Sequence, residues 1–230
     1  MRDGVLIGGS AFIMMDFVAA RLSMVQNQLL PNNLTDTDVA EAVLAVPRER
    51  FVSDQLAGVA YLDEDILVAP GRYLMEPRVL ARLLQAADIH EDDVVLDIGC
   101  GTGYSSAVLS YLAGAVVALE GDEALANTAT ALLAALDRDN VAVISGPMRE
   151  GNPRQGPYDV ILINGSIEAV PEGLITQLSE GGRLICVVGS ARIGRATIIV
   201  KRGSSHDARA LFDAAAPILP GFEPEAGFVF

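Results

Sequence analysis

The sequence is poor in several residue types on which catalysis, metal binding and nucleic-acid recognition depend. It holds two cysteines, two histidines, and only 16 lysines and arginines against 30 aspartates and glutamates, a formal net charge of −14. Cys100 and Cys186 lie 86 positions apart in apolar, strand-like contexts. Neither has the Cys or His neighbours of a zinc site, and nothing suggests a secreted disulfide framework. No metal is therefore expected, and a reducing cytoplasm is the expected compartment. His90 falls in a polar turn and His206 in a Ser-rich one, each without a partner. Phosphate binding rests on clustered Lys and Arg, and no basic run exists here, so a nucleic-acid partner is not expected. No apolar run approaches the roughly 20 residues of a membrane-spanning helix, so a membrane role is not expected either. A solvated acidic surface is sufficient to explain the charge.

What is present suits a folded α/β protein. Hydrophobic residues make up 51% of 230 positions, enough for one large domain with a small extension. Residues 1–14 fit a signal peptide poorly, because their apolar part is broken by Gly8-Gly9-Ser10. They read as an upstream extension or cloning remnant, with Met15 as the natural start. Residues 15–90 form a helical segment ending in a loop, and 91–230 form an α/β domain, the two packing as one unit. The apolar tail Gly227–Phe230 suits packing on its own domain or on a partner, and the oligomeric state stays open.

Helical spacing links Phe17-Val18, Arg21-Leu22, Val25 and Leu29, and Pro31-Asn32-Asn33 ends that helix. Thr35 or Thr37 can cap a second helix carrying Val39, Val43 and Leu44, and a third covers Glu76 to Ala87 with Pro77 in its first turn. From Asp93 onward, strand candidates at 94–98, 116–120, 141–145, 159–164 and 183–188 alternate with helical patterns at 104–113, 122–137 and 171–179. That alternation predicts a doubly wound, mostly parallel, seven-stranded sheet. Candidates at 197–201 and 209–214 have no helix before them, so an antiparallel hairpin should close one edge.

After the first of these strands comes Asp97-Ile98-Gly99-Cys100-Gly101-Thr102-Gly103-Tyr104. Glycines allow a sharp turn and the close approach of a ligand, and this turn sits at the carboxyl end of a strand, where α/β sheets bind ligands. Two residues before the first glycine stands Asp97, whose carboxylate would repel a pyrophosphate but suits a ligand with an ammonium and a sulfonium. The next strand ends in Glu120, 23 residues on, where a carboxylate can accept both ribose hydroxyls. The combination points to S-adenosylmethionine.

With these features the domain resembles a class I S-adenosylmethionine-dependent methyltransferase, Rossmann-like in fold. More narrowly, residues 15–230 resemble the protein-L-isoaspartate O-methyltransferase family. Four stretches carry the resemblance: Met24–Leu29 with Val46–Val52, Ala60–Asp65 with Pro70-Gly71, the glycine turn, and Tyr158–Ile163 with Ile167–Val188. The resemblance implies methylation of a carboxylate on damaged aspartyl residues of a peptide or protein, with S-adenosylhomocysteine as by-product. It adds Tyr73, Leu74, Gly121 and Asn164 to the expected cofactor contacts.

Two departures fall on functional positions. The family's Gly-Gln-Thr-Ile-Ser-Gln-Pro substrate loop is here Gly71-Arg72-Tyr73-Leu74-Met75-Glu76-Pro77, similar to a divergent bacterial branch. Met75 replaces the serine that the family places against the isoaspartyl site, and a thioether donates no hydrogen bond. The family's Gly-Asp-Gly adenine loop is here Gly146-Pro147-Met148, without a side-chain acceptor. Transfer from a sulfonium to an ionised carboxylate needs no general base, only alignment in a dry site, so the lack of a His/Asp/Cys constellation is compatible with catalysis.

Within the loop, Arg72 is either a partner for a substrate carboxylate or an exposed arginine. Glu76 most simply favours the helix N-terminus, Met75 and Tyr73 line an apolar wall, and Cys100 packs inward. A methyltransferase acting on another small acceptor, or a homologue that binds cofactor without turnover, remain the alternatives.

Overall fold

The computed structural model describes residues 16–190 and 192–223. The readings of residues 1–14 and of the tail at 227–230 lie outside this range. The chain opens with α1 (Phe17–Met24), whose last turn widens into a π-helical stretch, Val25–Leu29. Met24, Val25 and Leu29 are buried, whereas Val18 and Leu22 face solvent, so the buried stripe lies toward the helix's end. Helix α2 (Thr37–Ala45) is capped by Asp36, not by Thr35 or Thr37. The Asp36 carboxylate accepts from the N–H groups of Asp38 and Val39 at 2.9 and 3.1 Å, satisfying two of the helix's unpaired donors. A short hairpin, β1 (Ile66–Ala69) and β2 (Arg72–Leu74), then leads into α3 (Pro77–Ala87).

The main sheet follows. Its strands are β3 (Val94–Ile98), β4 (Ala115–Glu120), β5 (Val141–Ser145), β6 (Tyr158–Ile167), β7 (Leu178–Gly189), β8 (Gly194–Arg202) and β9 (Ser205–Asp213). Helices α4 (Tyr104–Leu109), α5 (Glu123–Ala134) and the single turn α6 (Glu172–Ile175) connect them. The spatial order is β5-β4-β3-β6-β7-β8-β9, parallel as far as β7 and antiparallel beyond it. This is the seven-stranded, mostly parallel sheet that the alternating pattern predicts. Strand β3 lies inside the sheet between β4 and β6 and is almost wholly buried, as expected of a parallel strand covered on both faces.

The differences lie in connections. The pattern at 171–179 is helical for only one turn, and β7 begins at Leu178, pairing with Tyr158 across a bulge. His206 is in β9 opposite Lys201, not in a turn, and β9 starts four residues earlier than its apolar residues suggest.

The two faces are covered unequally. Helices α1 to α5 pack on one, meeting Val95, Ala118, Val160, Leu162 and Ile185 in a continuous core. The other face presents Leu96, Ile98, Leu119, Ile161 and Ile163 to α6, Met148, Leu219 and Phe222. Here a non-helical C-terminal segment does the work of a helix layer, and it carries Leu219 to the carboxyl edge of β3. Among the described residues, no helix is long and apolar enough to cross a membrane.

Candidate functional site

Strand β3 pairs with β4 on one side and β6 on the other, so the order reverses beside it. At such a switch point the connecting loops part and leave a crevice. The glycine turn lies there, with φ of 76° at Gly99, 58° at Gly101 and 96° at Gly103. A methyl group on Gly103 would lie 3.1 Å from the Cβ of Ala129, so the left-handed turn also lets α5 approach closely.

Glu120 closes the crevice. It is fully buried at the end of β4, and four donors converge on its carboxylate. The N–H groups of Gly121 and Asp122 reach Oε1 at 2.9 and 3.1 Å, and that of Gly101 reaches Oε2 at 2.7 Å. The fourth is Arg72, whose Nη2 lies 2.5 Å from Oε2. Arg72 is thus neither exposed nor free for a substrate: it is 5% exposed and paired within the chain. Its Nε is buried without a partner among the described residues.

Asp97, expected at the cofactor, is fully buried, and donors of the chain itself hold its carboxylate. Ser105 and Ser106 hydroxyls donate to Oδ2 at 2.7 and 2.5 Å, and the Asn164 amide donates to Oδ1. Asp97 therefore anchors the start of α4 and the β6 edge of the crevice, and Asn164 acts through it. Burial, only partly offset by these three donors, pushes the carboxyl up to about 6. An unfolded chain ionises this group near 4, so between about pH 4 and 6 the native state holds the extra proton. Stability contributed by this group falls as pH rises through that window, by about 3 kcal/mol, and is flat above it. Melting temperatures from pH 4 to 7 should show a downward slope that flattens in Asp97→Asn. Equal slopes in the two proteins would contradict the assignment.

Tyr104 is buried, edge-on to Phe51 with ring centroids 5.5 Å apart, and lies under the Arg48 guanidinium at 4.7 Å, so its ring packs in the core. Leu74 is buried likewise, and Tyr73 is exposed. The Cys100 thiol is buried, and burial pushes it well above its ordinary value, which removes it as a nucleophile. Met148 of the expected adenine loop is buried, and its methyl lies 3.2 Å from where a Cβ on Gly121 would sit. The loop and Gly121 thus meet beside Glu120. An open cleft of about 710 Å³ runs along Gly146 and Pro147.

The substrate loop is positioned by residues that patterns alone do not rank. Asp65 accepts from the Glu76 N–H at 2.8 Å, and Asp63 from the Arg78 N–H at 3.2 Å, so the two acids cap α3 from outside. The Glu76 side chain turns instead to Arg78, 3.1 Å away. Arg48, fully buried, donates through Nε to the Ala60 carbonyl and through Nη2 to the Met75 carbonyl, both at 2.7 Å. It pins the loop's backbone to the N-terminal helices. The Met75 side chain is buried in the core, so the loop presents a thioether where the family has a hydroxyl.

The C-terminal segment completes the site. A methyl group on Gly99 would sit 2.8 Å from Leu219 Cδ1, one on Gly165 3.0 Å from Leu219 Cβ, and one on Gly71 3.5 Å from Pro220. Backbone bonds hold the segment to β6, with the Ser166 N–H on the Pro217 carbonyl and the Leu219 N–H on the Ser166 carbonyl. The cavity left between it and the substrate loop measures about 10 Å³, room for about one water. The residue set fits a ribose-bearing cofactor: a buried acid at a strand end, N–H groups behind it, and open space beside Gly101. Arg72 and Leu219 occupy that seat in this conformation and must move for it to fill.

Comparison with known proteins agrees with the site. The sequence profile of the protein-L-isoaspartate(D-aspartate) O-methyltransferase family matches residues 21–212. Protein-L-isoaspartate O-methyltransferase 1 of Rhodopseudomonas palustris is 36% identical, covering 84% of this chain and 79% of its own. The Koribacter versatilis enzyme of that name is also 36% identical, covering 86% and 88%. A solved protein-L-isoaspartate O-methyltransferase superposes with a TM-score of 0.78 at 25% identity, over 88% of this chain and 67% of its own. A Plasmodium falciparum structure described as a putative enzyme of this kind, in complex with S-adenosyl-L-homocysteine, shares the fold with a TM-score of 0.75 at 21% identity, over 87% and 98%. The chain belongs to the protein-L-isoaspartate (D-aspartate) O-methyltransferase family.

Proposed function

We infer that the protein transfers a methyl group from S-adenosylmethionine to the carboxylate of a damaged aspartyl residue in a peptide or protein, in the cytoplasm. The observation that carries this reading is the meeting of the two halves of the site: Arg72 of the substrate loop touches Glu120, the acid placed for a ribose. When bound, S-adenosylmethionine supplies an electrophilic methyl whose C–S bond breaks as a C–O bond forms to the acceptor, leaving S-adenosylhomocysteine and a methyl ester.

The chain's own residues do the rest. Glu120, held by three backbone N–H groups, is a preorganised acceptor for a diol. Asp97 fixes the turn around Gly99. Arg48 holds the loop that faces the acceptor. The buried Met75 gives the loop an apolar wall, and dehydration strengthens each remaining polar contact. No residue need act as a base, because an acceptor carboxylate is ionised at neutral pH.

A peptide acceptor also suits the surface beyond the loop. In a chain of net charge −14, a cleft of about 690 Å³ begins at Glu76 and is bordered by Arg78, Arg82, Arg192 and Arg195. Arg78 pairs with Asp63 and Glu76, and Arg195 with Asp213. Among the described residues, Arg82 and Arg192 have no carboxylate partner, and Arg82 lies over the Phe212 ring at 3.6 Å.

Labelled methyl transfer to an isoaspartyl peptide, against its normal aspartyl twin, tests the reading. Base-labile label in the first peptide only is expected. If label appears only after Met75→Ser, or equally in both twins, the natural acceptor is a different one.

A further inference from the structure

We propose that Arg72 is an acceptor-positioning residue stored on Glu120, set free for the acceptor carboxylate only when a ribose-bearing ligand takes Glu120. The proposal deepens the functional reading above and rests on it.

Three observations carry it. First, Glu120 already accepts from four donors, so a ribose hydroxyl can reach Oε2 only by displacing one of them. Of these donors, the three N–H groups are fixed backbone and only the Arg72 side chain can leave. A ribose on Glu120 and a guanidinium at 2.5 Å from the same oxygen exclude each other.

Secondly, Arg72 is only partly satisfied where it is. Its side chain is 6% exposed and, among the described residues, its Nε has no partner. A buried, unpaired donor on a charged group carries a desolvation cost that a second anion would relieve. Arg72 also lines the small cavity whose other walls include Gly71, Tyr73, Met75 and Gly165, on the acceptor side of the crevice.

Thirdly, the space that Arg72 must cross is closed by one side chain, not by rigid backbone alone. Leu219 sits over Gly99, and Arg72 Nη2 is 3.3 Å from the same Gly99 position. The two fill one seat and must leave it together.

The consequence is ordered binding. With Arg72 neutralised by Glu120 and the fully buried Arg48 bound to the Ala60 and Met75 carbonyls, a carboxylate acceptor at the small cavity meets no free guanidinium. Once Glu120 holds a diol, Arg72 is a buried cation without a counter-charge, and an acceptor carboxylate supplies one. The second binding event is thereby favoured by the first, and the coupling must be equal in both directions. Arg72 thus does work that Met75, without a hydrogen-bond donor, cannot do.

Calorimetry on the full chain tests this, with S-adenosylhomocysteine as the first ligand and an isoaspartyl peptide as the second. Arg72→Gln should tighten S-adenosylhomocysteine on the order of tenfold, as expected when a site closed most of the time no longer has to open. Leu219→Ala, which unblocks the seat and leaves Arg72 in place, should also tighten it, by less. In the parent, the peptide should bind at least about tenfold more tightly with S-adenosylhomocysteine present than without it. That gain should vanish in Arg72→Gln. If S-adenosylhomocysteine binds parent and Arg72→Gln equally, Arg72 is not stored on Glu120. If the peptide's gain survives in Arg72→Gln, Arg72 does not position the acceptor. If neither protein nor Leu219→Ala binds S-adenosylhomocysteine at all, the functional reading itself fails, because the obstruction has then been removed without effect.

Discussion

Glu120→Gln should both destabilise the protein and abolish its response to S-adenosylhomocysteine. The substitution keeps the shape, but replaces an anion that accepts from four groups with an amide that carries its own donor. Gly101, Gly121 or Asp122 would then face an N–H with an N–H. Arg72, buried and 2.5 Å away, would lose the carboxylate it pairs with. Removing one partner of a buried pair costs about 3–5 kcal/mol, far more than an intact pair contributes. In a chain of this size that is a fall of roughly 6–20 °C in melting temperature. The double variant Glu120→Gln with Arg72→Gln should recover the part of this loss due to the uncompensated charge, yet still gain no thermal protection from S-adenosylhomocysteine. Thermal melts of the four proteins with and without ligand separate the structural effect from the binding effect. Undiminished ligand protection in Glu120→Gln would remove Glu120 from the cofactor site.

Arg48→Met has the second largest expected effect, and it acts at a distance from the crevice. Methionine keeps much of the bulk but leaves the Ala60 and Met75 carbonyls, each bonded to Arg48 at 2.7 Å, without donors. A buried carbonyl left unpaired costs about 1–3 kcal/mol. Against this stands a gain, because burial pulls the guanidinium below its ordinary value, so folding now works against its charge. A net loss of about 2–3 kcal/mol, or roughly 4–12 °C, is the expected balance. The functional signature is more specific: the peptide KM should rise several-fold while affinity for S-adenosylhomocysteine stays near its parent value. Arg48→Lys keeps the charge but cannot serve both carbonyls in fixed geometry, so it should recover only part of the loss. Equal losses in both affinities would mean that Arg48 supports the fold in general and not the loop.

The parts of the site that were readable from the sequence are those whose signal is local. Gly99, Gly101 and Gly103 announce a turn because glycine adopts left-handed φ values most readily, and Glu120 is marked by its place at a strand end. Strands β3 and β4 read correctly because buried parallel strands are unbroken apolar runs. Local signals also misled. Leu178-Ser-Glu-Gly-Gly182 has the composition of a helix end and turn, yet it is extended, because Leu178 pairs with Tyr158. Thr35, Asp36 and Thr37 are all capable caps, and only geometry selects Asp36. Tyr104 follows the glycine turn and so resembles a ligand contact, but its ring is claimed by Phe51 and Arg48 from a distant segment.

The remaining features depend on long-range pairing that no spacing encodes. Arg72 meets Glu120 across 48 residues, and Arg48 reaches Met75 across 27. Leu219 reaches Gly99 only because the second face of the sheet lacks a long helix and the C-terminal segment covers it. The Val46–Val52 and Ala60–Asp65 stretches were visible as family signatures, and the structure supplies their reason. One holds Arg48, and the other holds the acids that cap the helix after the substrate loop.

The most direct measurement is the separation of Arg72 from Glu120 in a crystal structure of the protein with S-adenosylhomocysteine. The predicted result has the ribose hydroxyls on the Glu120 carboxylate, Arg72 out of hydrogen-bonding range of it, and Leu219 lifted from Gly99. A complex in which the nucleoside lies elsewhere while Arg72 remains on Glu120 would contradict it.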